Sequence, residues 1–225
     1  MTSVMPAALS PSAHQDDFAR AHLPPPEQWP EFRFDLPALQ YPQRLNCVVE
    51  LLDAAVARGR GGRIAVYGAH ETLTYAALLA RVDRIAHVLR RDLGLVPGNR
   101  VMLRGANNPT MAASILAVIK CGCVAVPTMP LLRARELGKI IDKSRVDAVL
   151  CSAGLHAELD GLEQLPPTIV FDAPADPESL ESRAARHDEA FAPCDTAADD
   201  VCLISFTSGT TGIPKGTMHF HRDVL

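Results

Sequence analysis

The chain has 225 residues, of which 48% are hydrophobic and 21% charged, and its net charge is −4. That balance is typical of a soluble globular protein and long enough for one large core or two small ones. It excludes a nucleic-acid-binding reading, which needs a basic stripe, and no apolar run reaches the length of a membrane span.

In chain order, Met1 to His14 is rich in Ala, Ser and Pro and is expected to be disordered. Residues 15–44 are proline-rich and carry the only tryptophan. Proline blocks regular helix and interior strand, so an extended surface arm is expected, anchored by Trp29 and Phe32. Asn46 suits an N-cap, and Leu45, Val48, Val49, Leu52 and Val56 share one helical face, ending at Gly59-Arg60-Gly61-Gly62. A strand over Arg63 to Tyr67 follows. Thr74 then caps the longest helix, with Leu78, Leu79, Val82, Ile85, Ala86 and Leu89 as its apolar stripe and Gly94 closing it.

From there the rhythm is strand, helix, strand. Arg100 to Arg104 reads as a strand, and Asn108-Pro109 as N-cap and first position of a helix reaching Lys120. Val124 to Pro127 is a strand, Arg133 to Ser144 a helix and Asp147 to Ser152 a strand. Residues 156–165 read as helical, Thr168 to Phe171 as a strand, and Asp176-Pro177 as a helix start. Val201 to Phe206 and Gly216 to Phe220 complete the strands. Buried β-branched strands alternating with helices predict an α/β fold with a largely parallel sheet flanked by helices. The acidic residues between Glu158 and Asp200 read as a solvated outer face.

The cysteines at 47, 121, 123, 151, 194 and 202 form no C-x-x-C pair, and Cys121-Gly122-Cys123 is too tight for the usual zinc spacing. Those inside apolar runs behave as small hydrophobes. With no signal peptide, the expectation is a reduced cytoplasmic protein. His219 and His221 would share a strand face, but no third ligand follows them, and no metal site is expected. His70, beside Glu71, reads as structural.

The strongest signal is Thr207-Ser208-Gly209-Thr210-Thr211-Gly212-Ile213-Pro214-Lys215-Gly216. Its glycines free the backbone to turn N–H groups inward, its hydroxyls add donors, and Lys215 adds a positive charge. Such a concavity suits a polyanion such as a triphosphate. It is not a Walker A loop: Pro214 stands where the second glycine belongs, and Gly216 where Ser or Thr would bind Mg²⁺. No G-x-G-x-x-G dinucleotide pattern or G-x-S-x-G elbow occurs here.

Over all ten positions the run resembles the phosphate-binding signature [ST]-[SG]-G-[ST]-T-G-x-P-K-G of the adenylate-forming superfamily, which includes acyl-CoA synthetases, peptide-synthetase adenylation domains and luciferases. Leu73-Thr74-Tyr75-Ala76-Ala77-Leu78 resembles that family's L-T-Y-x-x-L element. Ile119-Lys120-Cys121-Gly122-Cys123-Val124-Ala125-Val126-Pro127 resembles its L-K-A-G-x-x-x-V-P element. Arg104-Gly105-Ala106-Asn107-Asn108 is similar to its strand-to-helix corner, a capping site where Asn107 could approach a ligand. His221-Arg222 matches the start of the helix after the loop. The arm, Leu23-Pro24-Pro25-Pro26-Glu27-Gln28-Trp29-Pro30-Glu31-Phe32 onward, resembles the leader of aryl-CoA ligases, among them the 2-aminobenzoate–CoA ligase type.

The resemblance implies an AMP-forming acid–thiol ligase using ATP, Mg²⁺, coenzyme A and a small, aromatic carboxylic acid such as 2-aminobenzoate or benzoate. Thr207, Ser208, Gly209, Thr210, Thr211, Gly212 and Lys215 would hold the β- and γ-phosphates. It further implies that residues 45–225 are an incomplete N-terminal AMP-binding domain. The adenine and ribose contacts, the acidic metal ligand and the catalytic lysine of the family's C-terminal domain would lie beyond Leu225. On that expectation the 225 residues contain no catalytic residue and are inactive alone. Two further readings stay open: a non-catalytic nucleotide-binding or interaction fragment of the same fold, and an adenylating domain for another acid.

Overall fold

The computed structural model describes residues 9–207 and 214–225. After a single turn of helix, α1 (Phe18–Ala21), the first long element is a helix of residues 47–60, π-wound over Val49–Asp53 and Val56–Arg60. An antiparallel hairpin of β1 (Ile64–Tyr67) and β2 (Thr72–Thr74) leads into α2 (Tyr75–His87). Thr74 caps α2 by accepting from the Ala77 N–H at 3.2 Å. A cap of this kind contributes about 1 kcal/mol.

The predicted core strands lie side by side. β3 (Arg100–Arg104), α3 (Pro109–Lys120), β4 (Val124–Thr128), α4 (Ala134–Ser144), β5 (Ala148–Ser152), β6 (Thr168–Phe171), α5 (Leu180–Ala184), β7 (Val201–Thr207) and β8 (Lys215–Phe220) follow in chain order. They build a six-stranded sheet in the order β6-β5-β3-β4-β7-β8. All neighbours are parallel except β7 and β8. Both faces are covered, as continuous apolar strands require. Val101 and Leu103 pack with residues of α2, α3 and the 47–60 helix, whereas Met102 between them packs with Leu137 and Ile141 of α4.

Two local features hold this frame. The Lys120 side chain is fully buried, its Nζ 2.7 Å from Asp53 and 2.6 Å from Asp83. Breaking such a set by removing one partner costs about 3–5 kcal/mol. Gly122 turns the chain at φ +77°, and a Cβ there would meet Cys194 Sγ at 2.7 Å. Only glycine satisfies both the left-handed backbone and the close approach.

Several expectations change. Residues 153–158 form a 3₁₀ turn and the following segment is irregular, in place of a helix over 156–165. Gly161 interrupts it and Pro166-Pro167 ends it, while Leu159 is buried against β5 and α4. The later helix starts at Ser179, whose Oγ accepts from Ser182 N–H at 3.2 Å; Asp176 makes a turn with Glu178. Asp199 and Asp200 are buried, unlike the rest of the acidic stretch. They receive the chain's start: Ser10 N–H donates to Asp199 at 2.9 Å, and Asp200 accepts from Ser12 Oγ and from Ala13 N–H at 3.0 Å. Residues 9–14 are therefore hydrogen-bonded to the domain; the earlier part of the stretch expected to be disordered lies outside the described residues.

One of the arm's expected anchors is also different. Trp29 Nε1 turns back to the Pro24 carbonyl at 2.6 Å and meets Phe32 edge-on. Phe32, the other expected anchor, does meet the domain: the Arg222 guanidinium lies 5.2 Å from the Phe32 and Phe34 rings and 5.0 Å from Phe220. Earlier in the arm, Ala19 is buried in the core and Asp16 pairs with Arg100 at 2.6 Å. Among the described residues, no helix is long and apolar enough to cross a membrane.

Candidate phosphate-binding site

β7 carries the loop to the carboxyl edge of the sheet, where open α/β folds bind their ligands. Thr207 and Lys215 are cross-strand partners in the β7–β8 ladder and close the two ends of the loop. Both are exposed. Ser208, Gly209, Thr210, Thr211 and Gly212 lie outside the described residues, so the structure brings together only the first and last of the predicted contacts.

The base of the loop is built from packing. A Cβ on Gly216 would stand 3.0 Å from Ile204 Cγ2 and 3.2 Å from Phe206 Cζ. The glycine after Lys215 thus lets β8 pass under the Phe206 ring, while Thr217 Oγ1 donates to the Ser205 carbonyl at 3.0 Å. On the return side, Lys143 Nζ of α4 donates to the Pro214 carbonyl at 2.9 Å. Lys143 was not singled out in the sequence, and no local pattern marks it: it is one exposed lysine of a helix face.

The neighbouring corner is ordered by Asp172, which follows β6 at φ 60°. Its carboxylate accepts from Asn108 Nδ2 at 3.0 Å and from Ser152 Oγ at 2.8 Å. Asn108 Oδ1 accepts from Met111 N–H at 2.8 Å, so the residue caps α3 as predicted. Asn107 beside it is exposed. Arg104 is wholly buried and donates to the carbonyls of Met129, Pro130, Leu132 and Leu155 at 2.9–3.3 Å. Burial lowers its pKa. It fixes the segment after β4, and the signal for it was visible as a charged residue inside an apolar strand.

Elsewhere, His70 is exposed and Glu71 forms a two-pronged pair with Arg81 at 2.7 Å. That pair borders a half-open cavity of about 510 Å³ between α2 and α5, which none of the loop-flanking residues line. His219 and His221 separate, since His219 sits on β8 and His221 in the turn His221–Val224 that follows. The six thiols are free. Burial pushes Cys123 up to about 12 and Cys151 up to about 11. Mg²⁺ takes oxygen ligands, whereas the group of metal-competent side chains among the described residues is Cys47, Cys202 and His221. The described residues therefore do not fit an Mg²⁺ site.

With this geometry in hand, the chain can be compared with known proteins. It is 30% identical over 192 residues to benzoate–CoA ligase of Thauera aromatica, covering 84% of this chain and 36% of that protein. It is 34% identical over 183 residues to the 4-hydroxybenzoate–CoA/benzoate–CoA ligase of Rhodopseudomonas palustris, covering 78% and 33%. The chain thus spans about a third of the length of these relatives. The fold is shared with the anthranilate CoA ligase AuaEII, crystallised with anthranoyl-AMP, at a TM-score of 0.74 and 22% identity over 84% of this chain and 36% of that one. The sequence profile of the AMP-binding enzyme family matches residues 52–225, well over half of the chain, and the chain belongs to that family.

Proposed function

We propose that this chain is the ATP-handling part of an AMP-forming acid–thiol ligase that activates an aromatic carboxylate. In the first half-reaction the carboxylate oxygen attacks the α-phosphorus of ATP, forming an acyl-adenylate and releasing pyrophosphate. In the second, the thiol of coenzyme A attacks the acyl carbon and AMP leaves. The observation that carries the reading is the β7–β8 hairpin, which closes the Thr207–Lys215 loop at the carboxyl edge of the sheet. There the loop residues Thr207, Ser208, Gly209, Thr210, Thr211 and Gly212 would donate to the β- and γ-phosphates, and Lys215 would oppose the charge that gathers on the departing pyrophosphate.

An aromatic acid is favoured by the two relatives that act on benzoate and 4-hydroxybenzoate and by the Trp29-to-Phe34 arm. Mg²⁺ is expected to accompany the nucleotide as counter-ion to its phosphates. Six free thiols fit a reducing compartment, and the cytoplasm is the proposed location.

The test is acid-dependent pyrophosphate release from ATP by the complete protein that carries this chain. Benzoate, 2-aminobenzoate and a long-chain fatty acid would be compared. Release with the aromatic acids supports the reading. Preference for the fatty acid overturns the aromatic assignment, and release with no acid at all overturns the ligase assignment.

A further inference from the structure

Cys47, Cys202 and His221 come from three elements: the first turn of the 47–60 helix, the start of β7, and the turn after β8. All three are buried with 0% exposure. Their donor atoms lie within 4.8 Å of one another, and Cys47 Sγ is 3.3 Å from His221 Nδ1. The Cys47 backbone N–H also points at His221 Nδ1, at 3.2 Å, so that nitrogen is the unprotonated one. Nε2 then carries the hydrogen, and it is buried with no partner among the described residues.

We propose that Cys47, Cys202 and His221 form a zinc site that staples the base of the β7–β8 hairpin to the 47–60 helix, with zinc taking the His221 Nδ1 lone pair in place of the Cys47 backbone N–H. In a tetrahedral zinc shell two thiolates stand about 3.8 Å apart, and a thiolate and an imidazole nitrogen about 3.6 Å apart. The group already lies inside 4.8 Å, and its Cys47 Sγ–His221 Nδ1 distance of 3.3 Å is close to that of the shell. Charge selects the ion. Two thiolates and one neutral imidazole cancel Zn²⁺ completely, which matters where no water screens the site. A monovalent soft cation would leave a buried negative charge, and Mg²⁺ or Ca²⁺ requires oxygen ligands.

The helix N-terminus favours a thiolate at Cys47. Both thiols would give up their protons as zinc binds. No fourth side chain joins the group among the described residues, so the fourth position falls to a single bound water. The site lies at the opposite end of β7 from the phosphate loop, so its role is structural.

The experiment uses the reduced 225-residue chain, produced with added zinc and passed over a chelating resin. About one zinc per chain should remain, and cobalt exchange should produce thiolate-to-cobalt charge-transfer absorption. Cys202→Ser and His221→Gln should each lower retained metal about tenfold or more, since losing even an outer-shell partner of a ligand costs about ten- to a hundredfold in metal affinity. Cys194→Ser and His219→Gln should retain it. Because core variants can misfold, the wild-type chain supplies an independent measurement: its Tm should rise with zinc and fall with a chelator. Trace metal with a Tm indifferent to zinc overturns the site. Equal metal in Cys202→Ser and wild type overturns it as well, as does a cobalt spectrum without thiolate charge transfer.

Discussion

Lys143, the penultimate residue of α4, donates from Nζ to the backbone carbonyl of Pro214, 2.9 Å away. A helix on one face of the sheet is thereby tied to the return end of the phosphate loop, one residue before Lys215. The bond is exposed, so it contributes little to global stability, but it restrains the segment that carries the loop's cation.

Lys143→Met should therefore leave the Tm unchanged while slowing acyl-adenylate formation in the complete enzyme. Losing one exposed hydrogen bond to a charged donor is worth about 1 kcal/mol, or about fivefold in rate. Single-turnover adenylation beside a thermal melt checks both halves. A lower Tm with an unchanged rate would make Lys143 a fold residue only.

Lys215→Ala removes a charge-assisted contact worth about 1.5–3 kcal/mol, so adenylation should slow about ten- to a hundredfold. Thioester formation from supplied acyl-adenylate should change far less, because AMP keeps neither the β- nor the γ-phosphate. The two rates are to be measured on the same variant. Equal losses would remove the phosphate assignment.

Gly216→Ala should destabilise the hairpin by about 1–3 kcal/mol, since its Cβ meets Ile204 at 3.0 Å and the Phe206 ring at 3.2 Å. Adding Phe206→Leu should restore part of that loss by vacating the space. Denaturant melts of the single and double variants decide the point; strict additivity would show that the ring is not the obstacle.

Asp200 gives a pH-dependent latch on the chain's start. Burial pushes its carboxyl up, but the hydrogen bonds from Ser12, Ala13 and Ala197 and the charge of His14 together hold it below the usual carboxylate value. A depressed pKa means stability that is present above the unfolded value of about 3.9 and is lost as pH falls through the folded one. Asp200→Asn should thus destabilise the protein by about 1–3 kcal/mol at neutral pH. The gap to wild type should narrow steadily below about pH 4. Urea melts at several pH values, read by the fluorescence of Trp29, measure it; a pH-independent gap would refute the latch.

Much of the frame could be read from residue order. The strands at β3 and β6, the Asn108 cap and the Thr74 cap fall where their local chemistry puts them, because β-branched runs and capping hydroxyls or amides act over a few residues. The phosphate signature was legible for the same reason: its glycines, hydroxyls and lysine are consecutive. Residues 156–165 misled because leucine spacing suits a helix, while Gly161, Pro166 and the burial of Leu159 impose a turn.

What the sequence by itself determined was therefore the α/β class, the element order and the anion-binding character of the Thr207–Gly216 run. Tertiary structure alone decided that Lys143 reaches Pro214, that Asp200 grips Ser12 and Ala13, and that Arg222 receives Phe32 while Arg100 pairs with Asp16. It alone gathered Cys47, Cys202 and His221 into one buried cluster. Lys143 and Pro214 are 71 positions apart and Ser12 and Asp200 are 188 apart, and no local propensity encodes such a distance. They meet because apolar strands with both faces covered leave only certain side chains facing one another, and the cost of burying an unpaired polar atom makes most of them find a partner.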